Sequence, residues 1–457
     1  MADSAESLIN FVHASPTPYH VVDNIQQRIL SAGFVQLDEK KSWQGVLRPG
    51  GKYFYHRNST TIVAFTIGGK YKPGNEFKII GAHTDSPVLK LKPKSALSSN
   101  GYIQMNVETY GGGLWHTWLD RDLTLAGCVI VKADDGSFTR RLVNLKKPLL
   151  RLPNLCIHLQ TSDERQSLTL NKEVHLQPIF SLIESTLNKG EDQKSSGESR
   201  HSSLIMELLA AELGVDKDKI LDFDLTLADT QPGAAWGARD EFLSSPRLDN
   251  QAHCYTGMVA LLAQAENISD DTGVCMLTCF DHEEIGSSSA QGAGSPIMSE
   301  AISRVVNIFD PSDEILKITI RNSLLISADV AHAVHPNYAV KHESNHQPHL
   351  NQGTVIKTNS NQRYATNAET GFFLRELSRR ADVPVQEFVV RNDCPCGSTI
   401  GPIIASKVGI RTVDVGVPSL SMHSIRETMG CKDIGFNIKL FQKFFSDFGE
   451  LDKSCNF

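Results

Sequence analysis

Seven side chains able to bind a metal or move a proton stand just past apolar strands or at strand-helix junctions, Asp249 at the start of a helix. They are His83 and Asp85 in GAHTDSP, Asp249 in SPRLDN, Glu283 and Glu284 in FDHEEIGS, Asp329 in SADVAHAVHPN and His423 in PSLSMHSIRE. Two histidines and three carboxylates form a good donor set for a pair of zinc ions, which accept imidazole and carboxylate ligands. A carboxylate shared by both ions sets them about 3.5–4 Å apart, the spacing of two-metal hydrolases. One further carboxylate must stay off the metals to serve as general base. The adjacent Glu283 and Glu284 could divide those two roles. Neighbours on a strand face opposite ways, but past a strand end the backbone can turn both inward. His332 and His335 read as loop residues and stay outside the metal set.

Residues so far apart in sequence meet only if strands deliver them to one edge. TTIVAFTIGG from Thr60, FKIIGAHTD from Phe77, GVCMLTCF, SLLISADV, VQEFVV and IRTVDVGVP read as strands. QAHCYTGMVALLAQA, ETGFFLRELSRRA and DIGFNIKLFQKFFSDF have helical periodicity. Apolar strands alternating with helices imply a mainly parallel sheet covered on both faces, an α/β fold. In such sheets ligands sit outside the carboxyl ends of the strands. Near the start, Ser4–His13 and Tyr19–Ala32 read as two helices separated at Pro16 and Pro18, with Gly33 as a C-cap.

Between about Leu89 and Trp236 the texture changes to β-like runs: YIQMNVETYGGG, LTLAGCVIV and ILDFDLTLAD. The helix SLIMELLAAELG and a polar Gly/Ser-rich run over 186–203, read as a loop, lie in the same stretch. The expected organisation is a discontinuous catalytic domain, 1–88 and 237–457, with a β-rich domain inserted at 89–236. The triple glycine at Gly111–Gly113 has no following GK[ST], which argues against a nucleotide cradle.

The formal charge of -7 argues against nucleic acid as the main partner. No secretory leader and no apolar stretch of 18 residues is read, so the expectation is a cytoplasmic protein without a membrane span. Nine cysteines, with no CxxC, suit a reducing compartment.

Six segments occur in order along the chain: GAHTDSP, SPRLDN, DHEEIGS, SADVAHAVHPN, NDCPCGSTIGP and SMHSIRE. Together they resemble the aspartyl aminopeptidases, dinuclear zinc enzymes, over essentially the whole chain. The resemblance implies that His83 and Asp329 bind one zinc, Glu284 and His423 the other, and that Asp249 bridges them. It implies Glu283 as general base and Asp85 as the residue holding His83 through its second ring nitrogen, which fixes the tautomer. Mn2+ or Co2+ would be substitutes for Zn2+. The implied activity is removal of N-terminal Asp or Glu from peptides. Lys357 would meet the acidic side chain, Gly397 and Ser398 would offer groups to the substrate, and His158 would reach a neighbouring subunit's site. The inserted domain would be a dimerisation domain, and the implied assembly is a tetrahedral dodecamer built from dimers. Two other functions fit the residues themselves: a two-metal aminopeptidase or deacylase of broad or neutral preference, and a binding scaffold on the same fold. The complete ligand-and-base set argues against the scaffold.

Overall fold

The computed structural model describes residues 2–183 and 200–456. The run read as a loop over 186–203 falls outside the described residues from 186 to 199. The chain forms two compact units: 1–86 with 233–422 and 427–457, and 87–232 with 423–426. The sequence texture set its boundaries at 88/89 and 236/237, and it kept 423–426 with the residues around them.

The first unit is built on a nine-stranded sheet. Its central strands run in the order Val274–Phe280, Phe77–His83, Leu324–Ala328 and Arg411–Gly416, all mutually parallel. Antiparallel pairings flank this centre, with Thr61–Ile67 on one side and Thr354–Lys357 on the other. The four central strands are buried along almost their whole length. Burial on both faces is what permits near-continuous apolar runs. Successive side chains alternate between two cores. Ile80, Leu277 and Ile326 enter one, with Phe441, Phe444, Phe445 and Phe448 of the helix Cys431–Lys453. Ile79, Met276 and Leu325 enter the other, with Ile297 and Val305 of the helix Ile297–Phe309 and Ile404 of the helix Ile400–Val408.

A second, five-stranded sheet in this unit joins Ala234–Trp236, Phe242–Ser245, Glu427–Gly430, Pro418–Leu420 and Ala331–His332. It was not anticipated. Its strands are two to four residues long, too short to show a period.

The second unit has a six-stranded sheet whose neighbouring strands all pair antiparallel: Phe138–Asn144, Leu123–Lys132, Ile220–Asp229, Val88–Ser99, Tyr102–Tyr110 and Ile179–Leu182. The helix Ser203–Leu213 contributes Ile205, Leu209 and Leu213 to its core and ends at Gly214, whose φ of 64° suits a residue without a β-carbon.

Candidate active site

Parallel pairing aligns the strand ends. Phe280 lies beside His83 in register, and Ser327 beside Gly81. Adjacent strands are about 4.8 Å apart, so side chains just past their ends come within reach of one ion. Asp329 follows the strand Leu324–Ala328 directly, and its N–H donates to the Val415 carbonyl at 2.9 Å. The close approach requires Gly416, where a β-carbon would collide with the Asp329 carbonyl.

Past Phe280 the chain enters the left-handed region at His282 (φ 65°) and again at Gly286 (φ 94°) and Ser287 (φ 61°). Between His282 and Gly286, Glu283–Ile285 makes one 3-10 turn. The Asp85 carboxylate holds this turn: Oδ1 accepts the Glu283 N–H at 3.1 Å and Oδ2 the Glu284 N–H at 3.0 Å. Asp249 sits at a break in the helix Leu248–Glu266, where it and Asn250 leave helical geometry across a cis peptide. Three contacts fix that break. Glu427 accepts the Asp249 N–H at 2.8 Å, the Ser86 hydroxyl donates to the Asp249 carbonyl at 2.7 Å, and the Asn250 amide donates to the Ala328 carbonyl at 2.7 Å.

His83 is the hub. Its Nε2 lies 3.3 Å from Asp249, 3.6 Å from Asp329 and 4.0 Å from Glu283. Its Nδ1 lies 3.0 Å from the Asp85 carbonyl and 3.4 Å from the Asp85 carboxylate. The expected histidine–carboxylate contact is therefore shared with a backbone oxygen, while the carboxylate itself clasps the Glu283–Glu284 turn. His83, Asp85 and Asp249 are at most 3% exposed, and Asp329 is 8% exposed. Burial opposes a charged His83, but Asp249, Asp329 and Asp85 outweigh it and hold the ring well above the usual histidine range. Burial first, then the Asp329, Asp85 and Asp249 carboxylates against the pull of His83, push Glu283 up to about 8. Carboxylates this crowded repel one another unless a cation lies among them.

The donor chemistry fits a metal. Ligand atoms of His83, Asp249 and Asp329 lie within 4.8 Å of one another, as do those of Asp249 and Glu284. His83, Glu283 and Glu284 satisfy the same distance, so distance alone does not separate the two adjacent glutamates. Imidazole plus carboxylates is a zinc donor set.

Lys357 is 2% exposed at the end of the strand Thr354–Lys357, and its ammonium donates to the Val330 carbonyl at 3.1 Å, next to Asp329. Gly397 and Ser398 are exposed just before the helix Ile400–Val408, with the Ser398 hydroxyl donating to the Arg363 carbonyl at 3.2 Å. His158 is exposed on a short turn of the second unit. His423 begins the four residues grouped with that unit, where its ring nitrogen is 3.1 Å from the Gly112 carbonyl and its own carbonyl accepts the Leu114 N–H. The sequence reading missed Glu427. A lone acid in a short polar run reads as solvent-facing, yet Glu427 is 2% exposed beneath Asp249. His332, read as a loop residue, instead ends the short strand Ala331–His332, and its ring stands edge-on to Phe388 at 5.5 Å.

Residues 11–445 match the model of the aminopeptidase I zinc metalloprotease family, M18. The chain belongs to the M18 family. This M18 aminopeptidase is 47% identical to a probable aspartyl aminopeptidase of Ricinus communis, covering 97% of this chain and 95% of that protein. Its fold is similar to that in a cryo-EM structure of the Ape4 and Nbr1 complex, with a TM-score of 0.97 and 45% identity over 100% of this chain and 88% of the other. It is also similar to the S. cerevisiae mApe1 dodecamer, with a TM-score of 0.87 and 31% identity over 99% and 98% of the two chains. The α/β class and the family read from the six sequence segments both hold. Among the described residues, no helix of this M18 aminopeptidase is long and apolar enough to cross a membrane.

Proposed function

We propose that this M18 enzyme is a two-zinc aminopeptidase that removes acidic residues, Asp or Glu, from peptide N-termini. The observation that carries the proposal is the meeting of His83, Asp249, Asp329, Glu283 and Glu284 at one edge of the central sheet. In this reading His83 and Asp329 would hold one zinc and Glu284 and His423 the other, with Asp249 serving both. Bound zinc supplies Lewis acidity, making water easier to deprotonate and the scissile carbonyl more electrophilic; Mn2+ or Co2+ would serve similarly.

The residues of the chain do the rest. Glu283 takes the proton of the attacking water and returns it to the leaving amine. Asp85 sets the direction of both glutamates through their backbone amides and steadies the His83 ring. Lys357 meets the acidic side chain of the substrate, and Gly397 and Ser398 offer it polar groups. The name of the Ricinus communis relative supports the acidic preference. The dodecamer of the S. cerevisiae relative supports a homo-oligomer, read here as a tetrahedral dodecamer of dimers joined through the second unit, with His158 entering a neighbour's site. Cytoplasmic peptides are the expected substrates.

The test combines zinc analysis with aminoacyl reporters bearing Asp, Glu, Leu and Ala. Glu283→Gln keeps two zincs per subunit and lowers turnover at least ~100-fold. Glu284→Gln loses zinc. Near-normal turnover in zinc-replete Glu283→Gln would remove the base from the mechanism. Lys357→Met costs about 2–5 kcal/mol on acidic substrates, as when one partner of a buried charge pair is truncated. An equal loss on Ala substrates counts against the acidic pocket.

A further inference from the structure

Lys357 raises a physical problem. An ammonium only 2% exposed is costly unless an opposite charge stands near it. Among the described residues its hydrogen bond goes to a neutral group, the Val330 carbonyl, and its ammonium lies 5.2 Å from the centre of the Tyr364 ring. Neither supplies a full negative charge.

The sheet register supplies one. Thr354–Lys357 pairs antiparallel with Arg411–Gly416, and Asp414 is the residue opposite Lys357. Asp414 is 0% exposed. Its carboxylate is held by groups other than the lysine. The Ser327 and Thr399 hydroxyls each lie 2.6 Å from Oδ1, and the Ala365 N–H donates to Oδ2 at 2.6 Å. The Thr399 hydroxyl oxygen also accepts the Gly401 N–H, so its own hydrogen is directed to Asp414. Gly401 leaves room for this, since a β-carbon there would strike the Asp414 carboxylate. Burial pushes the Asp414 carboxyl up, and the Lys357 charge is the largest influence drawing it back down.

We propose that Asp414 is the fixed counter-ion of Lys357 and a specificity-determining positioning residue. It balances the buried ammonium across the ladder without occupying a donor of the lysine, so the N–H groups not given to the Val330 carbonyl remain for the side-chain carboxylate of an acidic substrate. The same carboxylate ties together the segments leading to Asp329, to Tyr364 and to the helix after Ser398. The inference rests on the reading of Lys357 as the acid-binding residue.

The experiment compares Asp414→Asn, Lys357→Met, the double variant and Thr399→Val in the full chain. It measures kcat and KM on Asp and Ala reporters, zinc content and Tm. In Asp414→Asn the Asp-over-Ala preference falls at least ~10-fold, mainly through KM, with zinc retained. Thr399→Val loses one brace and keeps the charge, so its preference stays while its Tm drops. The double variant melts above Asp414→Asn, because removing the ammonium relieves an unpaired buried charge. That comparison needs no activity and stands even where Asp414→Asn folds poorly. Equal losses on both reporters, an equal preference loss in Thr399→Val, or a double variant no more stable than Asp414→Asn overturns the counter-ion. If Lys357→Met loses the preference and Asp414→Asn keeps it, the Asp414 inference alone falls. If Lys357→Met keeps it, the reading of Lys357 falls as well.

Discussion

The two large sheets solve opposite problems. In the first unit Thr61–Ile67, Phe77–His83 and Val274–Phe280 are buried at every position. In the second unit Val88–Ser99 alternates between buried and open positions, and Phe138–Asn144 is mostly exposed. A sheet covered on both faces is stiff, and charged groups at its rim are held from several sides. A sheet open on one face offers surface rather than a fixed site. The buried carboxylates and His83 gather on the first kind.

Substitutions can break that contrast or sharpen it. The largest stability effect expected is Phe65→Ala, which empties a fully buried position of the first sheet and costs about 3–5 kcal/mol. Urea unfolding reads it; a cost below about 1 kcal/mol would mean the covered sheet is not closely packed. Asp329→Asn comes next. It weakens zinc binding at least ~100-fold, the upper range seen when even outer partners of a metal site are changed. Competition with a chelator measures it, and an unchanged affinity would take Asp329 out of the ligand set.

A smaller effect concerns pH. Burial, then the charge of Arg247, hold His20 down at about 4, against 6.5 in the unfolded chain. As pH falls from about 6.5 to about 4 the unfolded state takes up the proton first, so stability is lost in that window and is full above it. The loss is about 2–3 kcal/mol. His20→Gln flattens the slope of unfolding free energy against pH; an unchanged slope assigns it to other groups. The smallest effect is Phe138→Ala, on the open face of the second sheet at 66% exposure. It changes stability by less than ~0.5 kcal/mol. A larger cost would show that this face is covered, for example by another subunit.

The rim of the central sheet was legible where a charged or imidazole side chain closes or directly follows an apolar strand. His83 after Phe77–Ala82 and Asp329 after Leu324–Ala328 are the clearest cases. The adjacent pair at 283 and 284 was legible as a pair, but the left-handed turns at His282 and Gly286 that aim it were not. Asp414 and Glu427 escaped notice because a single acid in a strand-like run reads as facing water, and only tertiary packing buries it. The grouping of 423–426 with the second unit was equally hidden, since four residues carry no period and no composition shift.

The strand Phe77–His83 lies between Val274–Phe280 and Leu324–Ala328. On the ribosome it therefore emerges with neither neighbour yet made. Roughly 190 further residues separate its end from the nearer of the two. At about 5–20 residues per second the nascent chain carries this apolar segment, both edges unpaired, for about 10–40 s. Cover for that segment during synthesis, by folding helpers or by early collapse around it, would keep it from aggregating before its neighbours arrive.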